Sequence, residues 1–565
     1  MARKKTSSKN QQTTVIKQFV PTDKDLVFVP LGGTEGIGMN CSLLGHDGEW
    51  LMVDCGVSFY DRLGIELLTA DPTFILQQTQ RLKGLLITHA HEDHIGAVEY
   101  LWPLLRCPVY AAPFAIAVLK QKLQNKPWKD EVSLHEISTK KPITVGKFEV
   151  EFIHMTHSVP DPTGVVIKTP LGTVVHTGDW KFDQTPVIGK KSDEKKLQRL
   201  GDNGVLAYLS DSTNIFTQEE PCSEKHVRES LTRLVRDTPD KRIIVSCFSS
   251  NIARLETAIL AAHQAGRKVA LIGRSLQRML TAAQESGYLK NIPPVIDKEE
   301  AASLPPEKVL LLCTGSQGEQ RSALVQIALG KDPLLKISKN DLILFSSRVI
   351  PGNEKSIGAL HSLLAKAGAD IITSAEENIH TSGHPARKAI KKMYDLLRPK
   401  IVIPVHGEAR HLVAQAHFAK EQGIQSVVTP SDGFLVQLAG ETPEVLGQVP
   451  HGVWAVDGKR MIDFAGMTLK ERLRLAAEGS VFVTLVVNEG DIQDLVVDLH
   501  GLLEPGRLYK NLQEQIEQAI RSIFHGSGKV RKEASNAEAL SQRVRHVVRG
   551  KLGKEPIVDV HLVEI

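Results

Sequence analysis

The stretch LLITHAHEDHIGAV, Leu85 to Val98, decides how this chain is read. An apolar β-type run stops at Thr88, and His89, His91, Asp93 and His94 follow at once. In an extended segment residues two apart project to the same side, so His89 and His91 can address one metal ion. Asp93 and His94 come where the chain turns into IGAVEYLWPLL, read as a helix, which re-aims them at a neighbouring point. Imidazole and carboxylate donors suit zinc, and manganese where oxygen donors contribute. The alternative is a polar loop with coincidental histidines. With only 21 His in 565 residues, three in one short loop beside an aspartate are poor material for chance.

Outward from this loop, short β-like runs and helical stretches alternate from about Asp25 to Val436. DLVFVPLGG, WLMVDCGV, GLLITHA, KFEVEFIHM, GVVIKT and GTVVHTGD carry Gly, His, Asp or Thr at or near their ends, the pattern of an α/β enzyme whose chemistry sits at strand ends. A second α/β block is expected over 207–365, with strands VLAYLSD, RIIVSCFSS, KVALIG, KVLLLCT and DLILFSS. Between them lie helices such as IARLETAILAAHQAG, ending at Gly266 as helices often do. The style of the first block, 21–206, then returns over 366–455. A tail over 456–565 has its own strands (SVFVTLVVNEG, DLVVDLHG, PIVDVHLVEI) and a helix, YKNLQEQIEQAIRSIF. Residues 1–20, basic and polar, read as a disordered arm that lacks the apolar middle of a secretory signal.

Further metal-competent residues sit at strand ends: His157 in IHMTHSVPD, Asp179 in VVHTGDWKFD and His406 in IVIPVHGE. Alone, each reads as a hydrogen-bonded structural residue. Together with the first motif they complete a two-metal set. His89, His91 and His157 would hold one ion and Asp93, His94 and His406 the other, with Asp179 bridging. Two ions about 3.5–4 Å apart activate water and clamp the attacking and leaving oxygens of a phosphoryl displacement. Asp54, in MVDCG, would orient a ligand histidine from behind, as carboxylates often do.

Bulk properties narrow the class. A chain of 565 residues is too long for one ordinary domain. No uninterrupted apolar run of about 18 residues occurs, so no transmembrane helix is expected. Net charge is +4. From Pro505 to Ile565 there are 11 Lys/Arg against 7 Asp/Glu, a surplus that permits nucleic-acid contact without requiring it. Six cysteines without CxxC spacing fit buried thiols in a reducing cytoplasm better than disulfides or a structural zinc site.

HAHEDH with His157, Asp179 and His406 resembles the metallo-β-lactamase superfamily, and the block 207–365 resembles the β-CASP insertion of its nucleic-acid-processing branch. The ordered set LGGTEGIGMN, VDCG, THAHEDHIGAVEYL, THSVPD, HTGDWKFD, LSDSTN, SSNIARLE, GRSLQRM, CTGSQGE, SSRVIPGNE, HTSGHP and PVHGEARH is similar to the bacterial ribonuclease J family from about Leu31 to His411, and more loosely beyond. The opening GGTEGIG departs from the GGLGEIG of many relatives without touching a ligand. The resemblance implies an αββα sandwich, an inserted β-CASP α/β domain and a small α+β C-terminal domain.

It also implies roles. Asp211 of LSDSTN matches the acidic residue that the β-CASP branch adds. His384 of HTSGHP matches its Ser-Gly-His histidine, and His406 completes the second metal, as in members that act on RNA; a DNA-repair branch carries an apolar residue there. His384, poised by Asp211, would protonate the leaving oxygen or stabilise the charged phosphorane. Asp93 counts both as ligand and as catalytic residue. Ser382, Gly383 and the start of the next helix, opened by Pro385, would cradle a phosphate. Arg274 and Ser275, after Gly273, would take a 5′-phosphate. The implied protein is a cytoplasmic ribonuclease with two divalent ions, Zn²⁺ first and Mn²⁺ or Mg²⁺ next. It would act on single-stranded RNA from the 5′ end and internally, in RNA processing and decay. It would work as a homodimer or homotetramer, with other RNA-decay proteins as partners and no membrane. Two alternatives stand beside it: a β-CASP nuclease acting on DNA, and an RNA-binding scaffold, which would keep its cellular role when Asp93 and His94 are replaced by alanine. A small-molecule hydrolase would leave the inserted block unexplained.

Overall fold

The computed structural model describes residues 14–489, 491–524 and 537–565. The chain divides into two compact units, Leu67–Gly452 with the segment up to Phe59, and Tyr60–Glu66 with Val453–Ile565.

The first unit contains two large sheets packed face to face. One has eight strands in the order Glu444–Gln448, Phe434–Gln437, Leu26–Gly32, Cys41–His46, Glu49–Val53, Leu82–Leu86, Val109–Ala111, Leu134–Glu136. The other has seven: Ser426–Val427, Ile401–Val405, Ala207–Asp211, Gly172–His176, Thr163–Thr169, Phe148–His154, Ile143–Val145. Their facing side chains form one core, with Phe28, Leu44, Leu51 and Leu86 from the first meeting Phe148, Phe152, Val165, Leu209 and Ile403 from the second. The opposite face of the seven-stranded sheet (Val166, Val175, Tyr208, Val402) packs on the helices Glu194–Asn203, Arg387–Leu397 and Ala409–Glu421 through Leu197, Met393, Leu397 and Phe418. Apolar residues on both faces of a strand are what a sheet needs when it is covered on both sides. The expected αββα sandwich is thus present.

The inserted block is a six-stranded, wholly parallel sheet in the order Val295–Ile296, Lys268–Ile272, Val309–Cys313, Arg242–Ser246, Asp341–Phe345, Asp370–Ile372. One strand expected in it belongs elsewhere. Ala207–Asp211 pairs in parallel with Gly172–His176 and Ile401–Val405, inside the sandwich. The insertion therefore begins after Asp211, not at 207. VLAYLSD is apolar throughout, as buried parallel strands are, so its composition could not say which sheet would take it.

Three smaller differences concern element ends. Asp93 and His94 already lie in a short helix, Glu92–Ile95, ahead of the helix Val98–Leu105. The helix after the Ser-Gly-His turn starts at Arg387, so Pro385 precedes it. Of the arm expected over 1–20, residues 1–13 lie outside the described residues. After them the chain is paired: Ile16 N–H donates to Gln448 O at 2.7 Å and Gln448 N–H to Thr14 O at 2.9 Å.

In the second unit, the strands Asp491–His500, Ser480–Asn488 and Ile557–Glu564 form one sheet. Its buried face (Val481, Val483, Leu485, Val497) packs on Leu512, Ile516 and Ile520 of the helix Arg507–Phe524 and Leu540, Val544 and Val548 of Ala537–Leu552. No helix among the described residues is long and apolar enough to cross a membrane.

Candidate metal centre

Strands of both sandwich sheets deliver the candidate ligands to one edge. Leu82–Leu86 leads into His89 and His91, Phe148–His154 into His157, Gly172–His176 into Asp179 and Ile401–Val405 into His406. Three groups of donor atoms result, each lying within 4.8 Å of one another: His89, His91, His157 and Asp179; Asp93, His94, Asp179 and His406; Asp179, Asp211, His384 and His406. Asp179 is common to all three. The first two groups are the sets expected from the sequence, with Asp179 between them.

Hydrogen bonds aim the rings. His157 Nδ1 lies 2.8 Å from Gly383 O, which fixes that nitrogen as the donor and leaves Nε2 facing His91 Nδ1 at 3.1 Å; His89 Nε2 lies 3.0 Å from the same His91 nitrogen. In the second group His94 Nδ1 lies 2.7 Å from Asp54 Oδ2, while its Nε2 lies 3.2 Å from Asp179 Oδ2. His406 Nε2 lies 3.1 Å from Asp93 Oδ2. Asp54 and His406 hold φ of 62° and 54°. Non-glycine residues adopt this left-handed region at a cost of about 1–3 kcal/mol, met by the surrounding structure. Gly56 is required by crowding, since a Cβ there would stand 1.7 Å from Asp93 O. At Gly383 a Cβ would stand 2.5 Å from His157 Cε1.

The electrostatics divide the cluster in two. Burial, then neighbouring imidazoles, holds His89 and His157 well below the usual histidine range, and burial brings His91 down to about 4. Neutral imidazoles are the form that metal binding needs. Burial works against charge on His94, His384 and His406 too, but carboxylates overcome it: chiefly Asp179 for His94 and His406, and Asp211 for His384. His406 is pushed up to about 10. Asp93, Asp179 and Asp211 are in turn held low by those imidazoles against their own burial. Buried carboxylates that draw protons onto adjacent imidazoles mark a site whose own donors call for positive charge. Nitrogen and oxygen donors in these groups fit two divalent ions.

Beside this centre, His384 Nδ1 lies 2.9 Å from Asp211 Oδ2, and the His384 ring stacks 5.5 Å from that of His406. Ser382 Oγ accepts the His384 N–H at 3.2 Å. Arg274 and Ser275 open the helix Arg274–Glu285 on the inserted block; Arg274 is exposed, and neither residue takes part in the donor groups. Sequence reasoning missed four residues that steady the cluster. Asn40 Nδ2 reaches Asp93 O at 3.1 Å. Thr88 donates its N–H to Asp54 Oδ1 and its hydroxyl to Asp54 Oδ2, both at 2.8 Å. Thr213 Oγ lies 2.8 Å from His406 Nδ1. Asn214 holds the Ser-Gly-His turn. All four lie in the motifs LGGTEGIGMN, THAHEDH and LSDSTN; Thr88 adjoins His89, and Thr213 and Asn214 follow Asp211, while Asn40 adjoins no candidate residue.

Comparison with known proteins places this geometry. Residues 36–245 match the metallo-beta-lactamase superfamily, 240–364 the "Ribonuclease J, beta-CASP domain", 368–430 the "Zn-dependent metallo-hydrolase RNA specificity domain" and 467–565 the "Ribonuclease J C-terminal domain". Ribonuclease J of Sinorhizobium meliloti is 39% identical over 96% of this chain and 98% of its own length. The chain belongs to the ribonuclease J family. A second member, from Mycolicibacterium smegmatis, is 35% identical over 95% of this chain and 96% of its own length. In fold, the chain is also similar to a crystal structure of a protein of unknown function from Enterococcus faecalis, with TM-score 0.52 and 15% identity over 73% of this chain and 100% of that one. Ribonuclease J membership and the buried His/Asp cluster together make this chain a metal-dependent hydrolase of the nuclease class.

Proposed function

We propose that this chain cuts single-stranded RNA, as a 5′-to-3′ exonuclease that prefers 5′-monophosphate ends and as an endonuclease, in cytoplasmic RNA processing and decay. One observation carries the reading: the Asp211–His384 pair stands against the same Asp179 that both metal-competent groups share. Ligand side chains and a proton-bearing imidazole thereby border one small volume.

His89, His91 and His157 would hold one ion, and Asp93, His94 and His406 the other, with Asp179 shared. Two divalent ions, Zn²⁺ in first place for so imidazole-rich a set, supply Lewis acidity that neutralises phosphate charge and eases ionisation of water. The protein's own groups do the rest. Asp54 and the carbonyl of Gly383 keep the rings of His94 and His157 aimed. Asp211 holds a proton on His384, which gives it to the leaving oxygen or hydrogen-bonds the charged transition state. Ser382 and Gly383 border the phosphate, and Arg274 with Ser275 receives the 5′-phosphate from the inserted block. Assembly as a homodimer or homotetramer, alongside other RNA-decay proteins, completes the reading.

Purified protein, with and without divalent metal, should be given RNA of one sequence bearing a 5′-monophosphate or a 5′-triphosphate, and DNA of that sequence. Mononucleotide release from the monophosphate RNA, dependent on metal, is expected; equal cleavage of the DNA overturns the substrate assignment. Arg274→Ala should weaken degradation of 5′-monophosphate RNA far more than internal cleavage, and an equal loss of both would remove Arg274 from the pocket.

A further inference from the structure

We infer that Arg348, in the loop after the inserted-sheet strand Asp341–Phe345, is a positioning residue that sets His384 by acting through Asn214. The inference rests on the role proposed above for His384. Arg348 Nη1 donates to Asn214 Oδ1 at 2.9 Å. Asn214 Nδ2 donates to Ser382 Oγ at 2.8 Å and to His384 O at 3.1 Å. Ser382 Oγ accepts the His384 N–H. Residue 384 is thus gripped at its amide through Ser382 and at its carbonyl through Asn214, and with the backbone so held its Nδ1 meets Asp211.

The guanidinium supplies what Asn214 lacks. An amide side chain is nearly symmetric in shape, and turned over it would aim its oxygen at the carbonyl of His384. Arginine only donates, so the group facing it must be Oδ1, and Nδ2 is thereby pointed at the turn. Asn214 is 4% exposed, so no bulk water competes for this choice.

Arg348 is itself held in place. Gln317, also 4% exposed, donates from Nε2 to Arg348 O at 2.8 Å and accepts the N–H of Ile350 at 2.9 Å through Oε1. Ser346, at the root of the loop, gives its N–H to Ser246 O at 2.8 Å, and its carbonyl accepts from Arg254 at 2.9 Å. The arginine projects from a braced loop of the inserted sheet to Asn214, three residues past the sandwich strand Ala207–Asp211. By this contact the insertion enters catalysis, keeping the proton-bearing imidazole in register with the metal ligands.

The test uses the full chain loaded with metal and 5′-monophosphate RNA. Arg348→Ala should lower kcat by about tenfold or more with KM within about twofold, because the substrate still binds while His384 is misplaced. Guanidinium chloride at millimolar concentration, far below denaturing levels, should restore part of the lost kcat, since Arg348 lies at the surface. Arg348→Lys should retain part of the activity. Asn214→Ala added to Arg348→Ala should cost little more, as expected of residues acting in one chain of contacts. A crystal structure of Arg348→Ala should show the Ser382–His384 turn displaced, a readout independent of any activity. A raised KM with unchanged kcat would mean that Arg348 binds substrate instead and overturns the inference, as would an unmoved turn or fully additive losses. Failure of the wild-type chain to cut RNA in the same assay would strike the ribonuclease reading itself, whereas the displaced turn tests the positioning alone.

Discussion

Asp54 Oδ2 stands 2.7 Å from His94 Nδ1, and the same carboxylate accepts both the N–H and the hydroxyl of Thr88. The carboxylate is 1% exposed and sits at a left-handed backbone position. These three hydrogen bonds hold one imidazole and the loop that carries His89.

Removing that support should loosen the second metal. Asp54→Ala is expected to weaken metal affinity by about 10–100-fold, the usual scale for such carboxylate–histidine partners. Competition against a chromophoric zinc chelator measures it. Affinity equal to wild type would mean that His94 needs no orienting partner.

The Asp211–His384 pair should act as a unit. His384→Ala and Asp211→Asn should each lower single-turnover cleavage by about 10²–10⁴-fold, the range of general acid catalysis, and the double variant should be little worse than either. Metal content by mass spectrometry should stay at the wild-type level. Loss of metal in His384→Ala would instead make that histidine a ligand, a role its place in the third donor group allows.

Arg254 predicts a stability effect. It is fully buried and donates to Glu224 Oε1, Ser346 O and Ile379 O at 2.8–3.1 Å. Arg254→Ala leaves the buried Glu224 unpaired and the Ser346 carbonyl without its donor, while Ile379 O keeps the Ser346 hydroxyl, so a loss of about 3–5 kcal/mol is expected in urea unfolding. Arg254→Lys should recover little, because an ammonium cannot reach three directions in one plane. Stability within about 1 kcal/mol of wild type would show that Glu224 finds another partner.

The thiols should differ in reactivity. Burial pushes Cys41, Cys107 and Cys247 up to about 12, and only the thiolate is nucleophilic. Even at pH 9 these groups stay protonated. Cys222 alone among the six is half-buried. Ellman's reagent on the folded protein should therefore find one fast thiol, lost in Cys222→Ser, and the other five only after unfolding. Several fast thiols would mean that the sandwich opens readily.

Much of the centre was legible in the chain because its donors sit at strand ends, where short apolar runs change abruptly to His- and Asp-rich turns. His89 and His91 needed only that signal to be named, whereas His157 and Asp179 needed the first motif beside them. The pairing of Asp211 with His384 came from family resemblance, since 173 residues separate them and no local pattern joins them. The insertion boundary failed for the opposite reason. Ala207–Asp211 resembles the strands of the inserted sheet in every local property, and only its partners, Gly172–His176 and Ile401–Val405, place it in the sandwich.

By itself, then, the amino-acid sequence determined the class of chemistry and the α/β character, because ligand type and hydrophobic period are properties of short segments. Tertiary structure alone decided who steadies whom: Asn40 against Asp93, Thr213 against His406, and Arg348 through Asn214 against His384. Such contacts join residues 53 to 193 positions apart. Their hydrogen-bonding capacity is common to many polar side chains, and only the path of the folded backbone selects which of them meet.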